Sequence, residues 1–219
     1  MALPSIDPDI LRDLVSAPRF ARYERQAGDA ERAAALYEWN IQVGGALLEV
    51  MAPVEVVVRN AFDRQLRIQH SARKLADEWY DAAWLSVEGQ RDIQEAKRRA
   101  AKGRHATHPS HGKVIAELSF GFWRYLTSRR YQATAWPALL DAFSQAQHFP
   151  PRAGIERSMR RMNELRNRIA HHEPLFARDL EADHATMLEF VGWISRDARD
   201  WVSGFSRVGA VLLQRPVGS

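Results

Sequence analysis

The chain has 219 residues, 46% of them apolar, and 31 Lys and Arg against 27 Asp and Glu leave a net charge of +4. That apolar share fills a substantial core, and seven tryptophans, nine phenylalanines and five tyrosines spread along the length exclude a disordered chain. The absence of cysteine excludes disulfides and thiolate zinc sites and points to a reducing, cytoplasmic setting.

The N-terminal stretch MALPSIDPDILRDL lacks a basic segment followed by an unbroken apolar one. No run of about eighteen apolar residues follows, so neither secretion nor membrane spanning is expected. Residues 1–16 read as an N-terminal extension whose segment 8–15 forms a short helix, with Asp7 as its cap and Pro8 at the first helical position. A second helix covers residues 17–27 and ends at Gly28. From Asp29 the residues Ala34, Tyr37, Ile41, Ala46 and Leu48 recur at approximate helical spacing toward Met51, and Pro53 is expected to kink or restart the helix. The valines of VEVVVRNAFDRQLRIQH favour a strand, but length and continuation decide for a helix whose apolar face is Val54, Val57, Ala61, Phe62 and Leu66.

Residues 79–87 read as a loop with apolar anchors, and 88–101 as a polar helix with Ile93 inward. The segment GRHATHPSHG, residues 103–112, is a surface loop by its glycines and proline. Its three histidines have no carboxylate within the loop, a weak ligand set, so no metal site is expected. Helical segments then follow at 113–127, 128–146 with Pro137, 154–172 and 175–203, before a short closing helix and a tail at 215–219. Nothing alternates as a sheet does, so the chain is expected to form a single all-α domain.

Basic residues concentrate at Lys97–Lys113 and Arg152–Arg168, while residues 173–200 lean acidic. Such runs either face water or meet phosphate. On a wheel of about 100° per residue, Ile155, Met159, Met162, Leu165 and Ile169 make one apolar stripe, and Arg157, Arg161, Arg168 and His172 fall on the solvent flank. Arg166 lies only about 40° from the stripe, so its guanidinium must snorkel or find a partner. Asn163, Asn167 and His171 form a polar ridge on the other edge, with His171 about 140° from Arg166. Pro174 pushes Glu173 out of the α region, which can open the last turn; a second copy of the helix alongside is another way to bring the two groups together. A structural account of both residues also exists, with Arg166 paired to a core carboxylate and the terminal histidine facing the helix dipole.

Glu55 is the second polar anomaly, set among valines. It is four residues before Arg59 and can pair with it, and Asn60 follows. These three read mainly as a structural polar cluster beneath the arginine-rich helix, with Glu55 also a candidate partner for Arg166. The aromatic block Phe120 to Trp123 reads as core or dimer packing.

Arg166 to His171, RNRIAH, resembles the R-x4-H motif of HEPN-domain ribonucleases, and the longer run RNRIAHHEP resembles the Abi-like (abortive infection) family of bacterial all-helical HEPN relatives. LYEWN at 36–40, VEVVVRN at 54–60 and AELSFGFWRYL at 116–126 resemble the same family, so the resemblance extends from about Arg19 to Trp201. It implies an HEPN-like helical bundle with additional N-terminal helices. It further implies a metal-independent endoribonuclease without cofactor, acting on RNA in phage defence or as a toxin, with an antitoxin or phage-derived trigger as a further partner. Two copies of the motif meet across a homodimer in that family, which would resolve the angular separation of Arg166 and His171. Those two are then the catalytic pair, and Asn167, His172 and Glu173 the supporting residues. The competing expectation is a non-catalytic module of the same fold that binds RNA, a nucleotide or a protein partner.

Overall fold

The architecture is taken from a computed structural model that describes residues 6–75, 77–102, 109–148 and 150–216. The first part of the expected loop, residues 103–108 with His105 and His108, lies outside the described residues, as do 1–5 of the N-terminal extension and 217–219 of the tail. Among the described residues there are eleven α-helices and no strand, as the lack of alternation requires.

Helix α1 (Pro8–Val15) starts where expected: the Asp7 carboxylate accepts from the Asp9 and Ile10 amides at 2.8 and 3.3 Å, and Pro8 occupies the first turn. Helix α2 (Ala17–Ala27) stops at Gly28, whose φ of 88° is the left-handed cap that glycine adopts without a Cβ penalty. Asp29 then caps α3 (Ala30–Ala72) by accepting from the Arg32 amide at 2.7 Å.

Helix α3 runs 43 residues through Pro53 without a break, so of the kink or restart expected there the restart does not occur. A proline in a helix interior costs about 3 kcal/mol. The burial of Val50, Met51, Val54 and Val58 around it outweighs that penalty, at roughly 1.5–3 kcal/mol per fully buried apolar side chain. The inward face also differs in detail: Val58 is buried and Val57 only half so, while Ile41 and Leu48 are exposed at 61% and 41%. Trp39, Val43 and Leu47 take their place inside. Over eighteen residues α3 reaches a mean hydropathy of 1.7, enough by length and composition to cross a membrane. It is nonetheless the hub of the bundle, packed by α2 and by the later helices α6 to α11.

Trp79, Tyr80 and Leu85 anchor the connection to α4 (Val87–Ala101), whose Ile93 is buried as expected. Three caps, two serines and an aspartate, subdivide segments that read as continuous. Ser119 accepts from the Phe122 amide at 3.2 Å and separates α5 (His111–Glu117) from α6 (Phe120–Leu126). After α7 (Trp136–Leu140) and α8 (Arg152–Ala170), Asp179 starts α9 (Leu180–Ile194), and Ser195 separates it from α10 (Arg196–Phe205). The short α11 (Val208–Leu212) closes the chain and ties back to α3, where the Trp39 indole N–H donates to the Val211 carbonyl at 2.9 Å. Phe120, Phe122 and Trp123 are buried, with Trp123 5.9 Å from Trp79 between ring centroids, so this block is core. His111, expected in the loop, begins α5 with its ring between carboxylates from elsewhere, Asp63 at 2.9 Å and Glu78 at 2.8 Å.

Candidate functional site

Helix α8 buries Ile155, Met159, Met162, Leu165 and Ile169, the stripe read from spacing, and that burial fixes which side chains face outward. Arg166, Asn167, His171, His172 and Glu173 are all exposed. The helix end is closed rather than opened by the following proline. The His172 amide donates to the Ile169 carbonyl at 3.0 Å and the Glu173 amide to the Arg168 carbonyl at 2.8 Å, the paired bonds of a Schellman turn. His172 takes the left-handed position of that turn at φ 54°, where glycine is usual. Glu173 faces Arg168 at 3.8 Å, a charged contact where such turns commonly have an apolar one.

The residues after the turn are held from α3. Asn40, only 7% exposed, accepts from the Leu175 amide at 2.6 Å and donates to the Glu173 carbonyl at 3.5 Å. From α2, Arg19 donates to the His172 carbonyl at 2.6 Å. His171 and His172 therefore sit at one side of a groove of about 260 Å³ whose other side is Ser16, Pro18, Arg19 and Arg22. Arg22 and Arg25 border a second groove with Arg168 and Glu173. Arg19, Arg22 and Arg25 make no ion pair among the described residues, whereas several cations of the basic runs are paired. Arg99 pairs with Glu117, Arg98 with Glu95 and Arg152 with Glu156.

Arg166 turns the other way. Its Nε lies 3.7 Å from a Glu55 carboxylate oxygen, so the partner proposed by spacing is present. Burial pushes the Glu55 carboxyl above its ordinary value, and the charges of Arg166 and Arg59 pull it back only in part. Arg59 acts on Glu55 through that field, and its own hydrogen bond, at 3.4 Å, goes to Asn60. Asn60 is exposed and joins Glu55 only through Arg59, at the outer edge of the expected cluster. On the polar ridge Asn163 lies against the start of α6, its Oδ1 3.6 Å from where a Cβ on Gly121 would be.

Within one chain, then, Arg166 faces Glu55 of α3, while His171 lines a groove with the start of α2. Arg161 departs from expectation: instead of facing solvent alone it pairs with Asp183 at 2.5 Å, and Arg178 grips the same carboxylate at 2.8 and 2.9 Å. Asp183 is 1% exposed, and this triad locks α8 to α9. Sequence reasoning missed Asn40, Arg19 and Arg22. The arginine spacing on α2 was a legible signal, while the role of Asn40 depends on a contact 135 residues away. The fold and this helix end define an all-helical protein with an exposed histidine pair beside an arginine-lined groove. Comparison finds no matching family model, no matching curated protein and no matching solved structure.

Proposed function

We propose that the protein is a metal-independent endoribonuclease of the HEPN type, resembling Abi-like proteins of phage defence or toxin systems, with its composite site formed by two copies of α8. The observation that carries this reading is the RNRIAHHEP turn. It leaves His171 exposed beside Arg19 and Arg22 and Arg166 exposed against Glu55. RNA supplies its own nucleophile. The 2′-oxygen attacks phosphorus as its proton passes to a base, the bond to the 5′-oxygen breaks, and an acid protonates that leaving oxygen. An imidazole can serve in either role near neutral pH, which is the part assigned to His171. Arg166 carries a permanent charge and a fork suited to phosphate oxygens as negative charge builds on the phosphorane. Asn167 orients the phosphate, and Glu173, whose carboxylate faces Arg168, supports the turn that presents the histidines. The products are a 2′,3′-cyclic phosphate and a 5′-hydroxyl.

The separation of Arg166 and His171 around α8 favours two subunits, each supplying what the other lacks at a given phosphate. A second reading has one supporting observation: Glu55 already offsets part of the Arg166 charge, as in a purely structural pair. In that case the chain binds RNA, a nucleotide or a partner without cutting. His171→Ala separates the two. An endoribonuclease loses cleavage in EDTA while keeping its fold and its RNA affinity, and a binding module has no cleavage to lose.

A further inference from the structure

A polar groove of about 410 Å³ lies between the turn at residues 144–148 and the junction of α9 with α10. It includes His148, just before α8 begins, whereas the histidine pair follows the other end of that helix, which is itself about 28 Å long. The Gln145 amide donates to the Trp193 carbonyl at 3.0 Å, which fixes the turn against the end of α9. Arg196 and Arg199 bring two cations to the groove, against the single carboxylate of Glu189.

Both arginines are placed in ways that their helices do not favour. Gly192 is buried within α9, and glycine is the poorest helix former after proline. Arg199 accounts for it: a Cβ on Gly192 would stand 3.1 Å from the Arg199 Cδ, tighter than side chains pack without yielding. The stem of Arg199 therefore crosses α9 on bare backbone. Asp200 accepts from the Arg199 Nε at 2.8 Å and lies 2.7 Å from Nη2, which fastens the guanidinium and leaves Nη1 without a partner among the described residues. Arg196 opens the first turn of α10, where the helix dipole disfavours a cation, and makes no ion pair among the described residues.

We propose that this groove binds a phosphate group between Arg196 and Arg199. A fastened guanidinium beside an unpaired one offers several N–H donors in fixed directions, and phosphate oxygens accept them with full charge assistance. The Trp193 ring and the side-chain amides of Gln145 and Gln147, which line the same groove, meet whatever the phosphate is attached to. The group belongs either to an RNA backbone or to a free phosphate monoester, and the test separates the two. The inference goes beyond the ribonuclease reading, which needs only the histidine end of α8.

The test is an NMR titration of the full chain at constant ionic strength with methyl phosphate, with acetate as the carboxylate control, and with a tetranucleotide. The reporter is the indole N–H of Trp193, one of seven tryptophans, assigned by its loss in Trp193→Phe. It should shift saturably with methyl phosphate and stay in place with acetate at the same concentration. Arg196→Ala removes an exposed cation, keeps the fold, and should weaken phosphate about tenfold, the scale of one hydrogen bond to a charged group. Gly192→Ala displaces the Arg199 stem and should weaken phosphate several-fold in a chain that remains folded, while His171→Ala should leave the titration unchanged. A tetranucleotide that moves Trp193 at lower concentration than methyl phosphate assigns the group to an RNA backbone, and the reverse assigns it to a free monoester; either sustains the site. A Trp193 indole unmoved by both, an equal response to acetate, or binding untouched in Arg196→Ala overturns the inference. Cleavage of RNA by a chain that shows no shift here keeps the ribonuclease and rejects this site. A phosphate shift without cleavage by any form does the opposite.

Discussion

Replacing His172 with glycine tests the turn that presents the histidine pair. His172 holds φ at 54°, a conformation that costs an L-residue about 1–2 kcal/mol. Glycine removes that cost but gives up about 0.5–1 kcal/mol through the greater freedom of its unfolded chain. The balance lies between about 0 and 1.5 kcal/mol in favour of glycine. At roughly 2–4 °C per kcal/mol for a domain of this size, Tm should rise by about 2 °C, and by no more than about 6 °C, in differential scanning calorimetry. The Arg19 bond goes to the His172 carbonyl and survives the change, so nothing else in the turn is lost. If the His172 imidazole also contacts RNA, affinity falls while the thermal gain persists. A lower Tm for His172→Gly would refute the assignment of strain to this position.

The remaining predictions concern the contacts that hold the site. Asp183→Ala leaves the charges of Arg161 and Arg178 without their shared carboxylate, and urea unfolding should show a loss of about 3 kcal/mol, the lower end for a broken buried pair because both arginines keep some solvent. Asn40→Ala strands the Leu175 amide, costing about 1–3 kcal/mol, and hydrogen exchange should show protection at Leu175 falling more than at the middle of α8. Glu55 has a folded-state pKa raised above its ordinary value by burial, so its ionisation opposes folding above that value. The stability of Glu55→Gln relative to wild type should therefore grow as pH rises through the shifted range and be smallest below about 4.5. A difference that shrinks with rising pH would contradict the direction of the shift.

The apolar stripe of α8 and the caps at Asp7 and Gly28 were legible because each depends on residues within a few positions of one another. The exposure of Ile41 and Leu48 was not. Helix α3 is surrounded by partners over most of its length, and a 43-residue helix has no single inward face for a wheel to find. Arg161 resembled a solvent-facing arginine because its partner, Asp183, belongs to the next helix. The Schellman turn was hidden for a different reason: its left-handed residue is a histidine, so the glycine that usually marks a helix end is missing. Glu55 as the partner of Arg166 was within reach because each was anomalous on its own helix, and two such residues of opposite charge satisfy one another.

The most direct measurement of the central claim is incubation of the purified chain with total RNA in EDTA, beside Arg166→Ala and His171→Ala, followed by end-group analysis. The wild type should yield fragments ending in 2′,3′-cyclic phosphate and beginning with 5′-hydroxyl, and neither folded variant should yield any. An inactive wild type, or variants that cut as well as it does, would contradict it.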